Sequence, residues 1–402
     1  MSHGVPAPVS DWDVIVVGAG PAGTSTALSV IHAGPGLRVL LLDRADFPRD
    51  KSCGDGIAPH VFDRLGRIGV TGIEEGWTPL TRLELARGSS SVARPMARPV
   101  YVIPREVFDA RLVERAVAAG ATLVRHRVTD VRATAEGIVL DGRYRAPVVV
   151  GADGAHSVLR GHLGLRDGRR ALAIRGYAPT PSERRGTQVI RYGDRRQPSY
   201  AWAFDRGDGL SNVGYGELLP SDRTDDPPSR ALLLDQLDRL LPGSVAAGDQ
   251  WKAHHLPLSG WSWEQPDGPV LLTGDAAGLI NPMTGEGIYY AVATGITAGR
   301  AAAQAFRAGN PARAGELHRR AVRALLGRHL KHTWTAARLA ESATLVEGGI
   351  RAARRDARVF DELVELGLGD GRISRHLVGH LITGVARRTV PRTPLTRLAK
   401  GP

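Results

Sequence analysis

The sequence predicts a mixed α/β fold: a doubly wound parallel-sheet domain, interrupted by an inserted antiparallel β-sheet domain and followed by a helical C-terminal region. Three observations carry this. The β-branched run Asp13-Val-Ile-Val-Val17 is followed at once by a glycine-rich turn and a helix-compatible stretch, and continuous apolar runs of this kind form strands buried on both faces. Residues 172–258 break into short alternating segments separated by Pro- and Gly-containing turns, which is antiparallel texture. From Gly287 the chain is largely helical in pattern.

Taken in order, Gly18-Ala-Gly20-Pro-Ala-Gly23 leads into a helix over 24–33, stopped by Gly34-Pro35-Gly36, and 37–42 is a second buried strand ending at Asp43. This is a βαβ unit with the crossover length that parallel strands need. Residues 47–56 are polar and turn-rich, 58–68 read as helix, and 82–101 give short strand-like pieces broken by Pro95 and Pro99. An amphipathic helix over 105–119 carries Val107, Phe108, Ala110, Leu112, Val113, Ala116 and Val117 on or near one face. Strands follow near 122–126 and 148–151, then 187–192, 200–204 and 211–216 in the inserted sheet. A buried strand over 270–273 returns the chain to the first domain. The expected division is 11–171 and 259–310 for the first domain, 172–258 for the sheet domain and 311–402 for the helical region.

The 402 residues are 42% hydrophobic and 23% charged, a soluble globular composition that excludes a disordered or fibrous chain. Lys plus Arg is 53 against 41 for Asp plus Glu, a net +12, but with only four lysines and 49 arginines scattered evenly. No basic block with interleaved aromatics occurs, so nucleic acid is not an expected partner. One cysteine, Cys53, allows no intrachain disulfide. No Cys/His cluster has zinc-site spacing, and no metal is expected. The first ten residues lack a signal-peptide pattern, and no apolar run approaches the roughly 18 residues of a membrane span. A cytoplasmic location is the expectation.

Gly18-x-Gly20-x-x-Gly23 sits between a strand and a helix, with an acidic residue twenty positions after its last glycine. The glycines permit the tight turn, bring backbone N–H groups to a pyrophosphate and let helix and strand pack closely, while the helix N-terminus favours the anion. Asp43 can accept ribose hydroxyl hydrogens, and Arg44 follows it at the nucleotide end. This Rossmann-type arrangement leaves NAD or FAD open.

Gly151-Ala-Asp153-Gly154-Ala-His-Ser157 and Thr273-Gly274-Asp275-Ala-Ala-Gly278-Leu-Ile-Asn-Pro282-Met-Thr-Gly285-Glu286-Gly287-Ile288 each follow an apolar strand. They resemble the second and third FAD motifs of the para-hydroxybenzoate hydroxylase superfamily. The resemblance implies FAD, with Asp153 and Gly154 in the second motif, Asp275 accepting a ribityl hydroxyl, and the small residues up to Gly287 and Ile288 letting a helix start face the flavin. That family also uses an arginine at the start of the helix before the second motif, which Arg105 matches; a surface arginine is the plain alternative. The implied fold class is thus a Rossmann-type FAD-binding domain with an inserted antiparallel β-sheet substrate domain and a helical C-terminal region.

Phe47-Pro-Arg-Asp-Lys-Ser-Cys53-Gly54-Asp55-Gly56-Ile57 and Tyr200-Ala-Trp202-Ala-Phe204 resemble the geranylgeranyl reductase family, in which the first stretch lies beside the flavin and the second lines the substrate channel. Alternation puts Tyr200, Trp202 and Phe204 on one strand face, suited to an apolar substrate or to sheet-core packing. Family members usually have Pro where this chain has Asp205. Cys53, Gly54 and Asp55 are the candidate catalytic residues, although Cys53 also reads as an inert buried side chain and Asp55 as a loop-ordering group; no convincing proton donor stands out. The adjacent His254 and His255 point to opposite faces of a strand, so no shared role is expected. Gly260-Trp-Ser-Trp263-Glu-Gln-Pro266 is similar to the Trp-x-Trp-x-Ile-Pro signature of flavin-dependent halogenases, but incomplete and misplaced, and reads as two packing tryptophans.

The resemblance implies hydride transfer from reduced FAD to a double bond of an isoprenoid substrate. The alternatives are FAD-dependent monooxygenation of an aromatic or terpenoid compound, or a flavoprotein with a purely structural role. No second glycine-rich nucleotide motif occurs, so electrons are expected from transiently docked NAD(P)H or from a reductase or ferredoxin partner. Ile373, Leu377, Val378, Leu381, Ile382 and Val385 recur at helical spacing among Arg375, His376, His380, Arg387 and Arg388. Such a helix either packs on its own domain or lies on the inner face of an anionic membrane.

Overall fold

Five short strands form the centre of the computed structural model, which describes residues 9–166, 168–220 and 227–386. Val14–Val17, Val39–Asp43 and Val148–Gly151 are buried along their whole length, as their uninterrupted apolar runs require. They pair in parallel, with Thr122–Arg125 at one edge and Val270–Leu272 at the other. The register sets Val17 opposite both Leu42 and Gly151, and Gly151 opposite Leu272. Gly18, Asp43, Asp153 and Gly274 therefore all leave the same edge of the sheet, where ligands of open parallel sheets bind.

The turn at that edge cannot be built without glycine. Gly18 has φ 101°, and a Cβ there would collide with the Ala152 carbonyl; a Cβ on Gly23 would collide with the carbonyl of Gly18. Helix Pro21–Ala33 packs along helix Ile288–Arg307, where Ser29 Oγ donates to the Ile296 carbonyl at 2.8 Å. The helix over Arg105–Ala118 buries Phe108, Leu112, Val113 and Ala116 in the same core. Val117, expected near that face, is exposed instead.

The second sheet has eight strands, in the order Asp249–Pro257, Arg170–Pro179, Leu210–Leu218, Ser199–Asp205, Thr187–Tyr192, Leu80–Arg87, Ser90–Val102 and Gly56–Ile57. It draws two long strands from within the 11–171 segment, so the sheet is larger than residues 172–258. The joint is a parallel pairing of Thr187–Tyr192 with Leu80–Arg87 in an otherwise antiparallel sheet. Pro95 and Pro99 do not break Ser90–Val102: both are exposed, and most of that strand has a partner on one side only, since Gly56–Ile57 covers just Tyr101 and Val102. A proline's missing N–H is tolerated on such an edge.

The C-terminal helices cover the face of this sheet that also carries Ile190, Tyr192 and Phe204. Ile350 of Ala343–Arg355, and Val359 and Phe360 of Ala357–Leu368, pack with Leu83, Leu85, Val92, Met96 and Val100, each contributing about 1.5–3 kcal/mol of apolar burial. The last described helix, Arg375–Ala386, divides its apolar stripe. Leu377 is 1% exposed and joins that core with Ile373 and Leu381, whereas Val378 and Ile382 are 43% and 65% exposed. Arg387 and Arg388 lie outside the described residues, as does the side chain of Val385. No helix among the described residues is long and apolar enough to cross a membrane. Of the two tryptophans expected to pack, Trp263 is buried, but Trp261 is 49% exposed and meets Trp334 edge-on at 5.3 Å.

Candidate active site

Between the carboxyl edge of the parallel sheet and the eight-stranded sheet lies a cavity of about 990 Å³. The glycine turn forms one part of its wall. Helices Pro21–Ala33 and Ile288–Arg307 begin at Gly20 and Gly287 on the cavity wall; at the second, Glu286 Oε1 accepts from the Tyr289 amide at 2.8 Å, whereas no side chain caps the first. Helix starts of this kind favour negative charge. A Cβ on Gly20 would lie 3.6 Å from an Arg49 guanidinium nitrogen and 3.8 Å from one of Arg105. Both arginines are held by Asp109: Arg105 Nε and Nη2 donate at 2.6 and 2.8 Å, and Arg49 Nη1 stands 3.2 Å away. The sequence pattern singled out Arg105 alone; Arg49 is added by the fold.

Asp43 is nearly buried, and its two oxygens accept from the amides of Ala19 (2.8 Å) and Ala45 (2.9 Å). It thus shapes the glycine turn while facing the cavity beside the exposed Arg44. Asp153 accepts from Val158 N at 2.7 Å through Oδ2, while its buried Oδ1 has no partner, and burial raises its pKa. Asp275 lies 3.1 Å from Lys51 Nζ; burial works to raise its carboxyl, but Lys51, His254 and Arg105 together outweigh it and the pKa falls below the ordinary value. Gly154, Pro282, Gly285, Gly287 and Ile288 line the cavity. Gly23 and Gly274 stand behind the wall: one packs on Gly18, and the amide of the other donates to Thr294 Oγ1 at 3.1 Å.

The loop 47–57 crosses from the glycine turn to the large sheet. Cys53 carries a thiol raised by burial and placed beside the Arg105 guanidinium. Gly54 sits against the rings of Phe204 and Trp202, each 3.6 Å from where its Cβ would be. Asp55 is fully buried at φ 58°. Its Oδ2 accepts from Tyr177 OH at 2.6 Å and from Asn212 Nδ2 at 2.8 Å, and its Oδ1 has no partner. Burial pushes its pKa up to about 6, against the pull of Tyr177, Arg175 and Asn212. A buried carboxyl with a raised pKa therefore faces the cavity from the loop that carries the candidate catalytic residues. Glu286, also on the wall, is pushed by burial to about 7.

Tyr200, Trp202 and Phe204 line the cavity side by side, with ring centroids 6.0 and 6.4 Å apart. Tyr200 OH donates to the Thr284 carbonyl, which joins this strand to the third glycine-rich segment. Trp202 Nε1 donates to Asn212 Oδ1 at 2.8 Å. Asn212 Nδ2 in turn also donates to the Cys53 carbonyl at 2.8 Å, so one amide links the aromatic face to the Cys53–Asp55 loop. Asp205 is buried and structural, accepting from the amides of Gly186 (2.6 Å) and Gly207 (3.0 Å).

Arg175, 1% exposed, lines the cavity with Nε and Nη1 unpartnered, while its Nη2 donates to Asp50 and its guanidinium lies 4.8 Å from the Tyr177 ring centroid. The only sequence signal for it is the Arg175-x-Tyr177 alternation within a buried strand. His254 faces the cavity with an unpartnered Nε2, and burial, then Lys51, lowers it to about 4. His255 is absent from the cavity wall.

These residues fit an elongated dinucleotide: the uncapped start of Pro21–Ala33 and two guanidinium groups surround the glycine turn, Asp153 keeps an orphaned oxygen, and the cavity runs on past Asp275 to an aromatic wall. A family model described as FAD binding domain matches residues 11–314. The chain is 32% identical over 326 residues to menaquinone reductase of Mycolicibacterium smegmatis, covering 74% of this chain and 76% of that protein. It is 32% identical over 325 residues to digeranylgeranylglycerophospholipid reductase 1 of Methanopyrus kandleri, covering 73% and 81%. A solved geranylgeranyl bacteriochlorophyll reductase-like protein from Thermoplasma acidophilum shares the fold, with a TM-score of 0.75 at 20% identity over 95% of this chain and 97% of that one.

Proposed function

Since the chain belongs to the geranylgeranyl reductase branch of the FAD binding domain family, we propose that it is an FAD-dependent reductase of carbon–carbon double bonds in an isoprenoid substrate. The observation that carries this reading is the aromatic wall of Tyr200, Trp202 and Phe204 beside a buried carboxyl, Asp55, in the cavity that begins at the glycine turn. Reductases of menaquinone and of prenylated lipids among its relatives support the substrate class.

Bound FAD, once reduced, supplies a hydride to one alkene carbon. The chain's residues do the rest. Arg49, Arg105 and the start of Pro21–Ala33 bind the pyrophosphate; Asp43 and Arg44 take the nucleotide end, and Asp275 takes a ribityl hydroxyl. Tyr200, Trp202 and Phe204 orient the apolar chain and exclude water. Asp55 holds a proton at its unpartnered Oδ1 and passes it to the second alkene carbon, completing the saturated bond; Cys53 and Gly54 set the loop that presents it. Electrons come from NAD(P)H or from a reductase or ferredoxin partner.

Anaerobic photoreduction of the holoprotein bypasses that donor. On mixing with a prenylated lipid, reduced flavin is expected to reoxidise without oxygen and yield a product heavier by two hydrogen atoms. A product heavier by one oxygen atom, formed only with oxygen and an aromatic or terpenoid acceptor, would establish monooxygenation instead. In the same assay Trp202→Ala is expected to lower kcat/KM about tenfold or more, from about 1.5–3 kcal/mol of lost apolar contact, with FAD content preserved. Unchanged turnover would return the aromatic face to core packing.

A peripheral contact with an anionic bilayer fits the exposed Val378 and Ile382 next to Arg375. Val378→Asp/Ile382→Asp is expected to abolish flotation with phosphatidylglycerol liposomes. Equal flotation of the variant and the parent chain would remove this contact.

A further inference from the structure

Outside the cavity, three side chains from separate stretches of chain converge at the C-terminal helix. His376 and His380 stand one turn apart on Arg375–Ala386, with ring centroids 4.4 Å apart. Both imidazoles face Asp356, in the break between Ala343–Arg355 and Ala357–Leu368. The Nε2 atoms of His376 and His380 lie 3.0 and 3.3 Å from the same oxygen, Asp356 Oδ2. One ligand atom from each of the three residues lies within 4.8 Å of the others.

The carboxylate is oriented before any ligand arrives. Asp356 Oδ1 accepts from the amides of Arg358 (2.8 Å) and Val359 (3.3 Å), capping Ala357–Leu368 and turning Oδ2 toward the histidines. Zinc bonds of about 2.0–2.1 Å in a tetrahedral site place ligand atoms roughly 3.3 Å apart, so both histidine–carboxylate separations already approximate tetrahedral edges. Two imidazoles and one carboxylate suit a zinc-type ion and not magnesium or calcium, which take oxygen ligands. All three side chains are partly exposed, which leaves the remaining coordination position to water.

We propose that Asp356, His376 and His380 form a binding site for a divalent transition ion of zinc type that fastens the C-terminal helix to the helix forming part of the cavity wall. Ala357–Leu368 presents Leu363, Val364 and Leu368 to the cavity, so the ion ties down this wall from behind. The imidazoles bind as neutral ligands through Nε2, their single protons residing on Nδ1. A His-x-x-x-His pair is only half of such a site, and its third ligand is twenty residues away in the chain.

The test uses tag-free, FAD-loaded protein. Competition with a chromophoric zinc chelator is expected to show one tight site per chain, and Co2+ to give a tetrahedral visible absorption there. His376→Ala and His380→Ala are each expected to weaken binding by about 100-fold or more and erase the band. Asp356→Asn, which retains the helix cap, should weaken it about 10–100-fold. His254→Ala should change nothing in this readout. In the parent chain, zinc is expected to slow amide exchange over 375–386 about tenfold, a measurement that needs no variant. Equal Co2+ binding by the histidine variants, or exchange over 375–386 unaltered by zinc, overturns the site.

Discussion

Asp55→Asn lowers turnover about 100-fold or more while leaving FAD content at the level of the parent chain, the size expected when a positioned proton donor is removed. Asparagine keeps the shape and accepts the same bonds from Tyr177 and Asn212, and it tolerates the φ of 58° that Asp55 adopts. The carboxyl's pKa rises from 3.8 to about 6 on folding, so the donor is protonated below about pH 6, and the rate should fall as pH rises through that value. The same shift costs stability. A raised folded-state pKa gives a stabilising contribution that is complete below 3.8 and lost as pH rises to about 6. Above pH 6 the variant is therefore expected to be more stable than the parent, by on the order of 1–3 kcal/mol. Rate measurements and urea unfolding at several pH values check both; undiminished turnover with an unchanged pH profile would refute the role given to Asp55.

Asp275→Ala yields largely apoprotein. Its carboxylate is ionised at neutral pH because Lys51, 3.1 Å away, together with His254 and Arg105 holds its pKa down despite burial. The change removes a charged acceptor near the start of Ile288–Arg307 and leaves Lys51 unpaired. Losing a hydrogen bond to a charged group costs about 1.5–3 kcal/mol, roughly 10–100-fold in FAD retention, read as flavin absorbance per chain after gel filtration. Lys51→Met should lose less FAD, since the acceptor remains. Full retention in Asp275→Ala would contradict the contact.

The parallel sheet and its glycine turn were legible because their signals are local. A β-branched run, a turn that only glycine can make at Gly18 and an acid at the end of the next strand lie within thirty-one residues, and backbone sterics read them without reference to the rest of the molecule. The aromatic alternation of Tyr200, Trp202 and Phe204 was legible for the same reason, since strand geometry alone puts them on one face. Pro95 and Pro99 misled because a proline's cost depends on whether its strand has a partner on both sides, and most of Ser90–Val102 has one on a single side. The C-terminal stripe divided because helical periodicity reports which residues share a face, and packing against Ile350 and Phe360 decides how much of that face is covered.

The raised pKa of Asp55 arises only in the assembled fold. Its pKa depends on burial and on Tyr177 and Asn212, which lie more than a hundred residues away and stand opposite one another only through the register of Arg170–Pro179 with Leu210–Leu218. Likewise Arg49 joins Arg105 on Asp109, and His376 and His380 meet Asp356, through packing that no spacing rule encodes. The sequence by itself determined the βαβ unit, the nucleotide turn and the aromatic strand, because neighbouring residues and backbone geometry suffice for these. Tertiary structure alone decided which carboxyls are raised, which cations face the turn and which side chains converge, because desolvation and charge pairing act through space between residues distant in the chain.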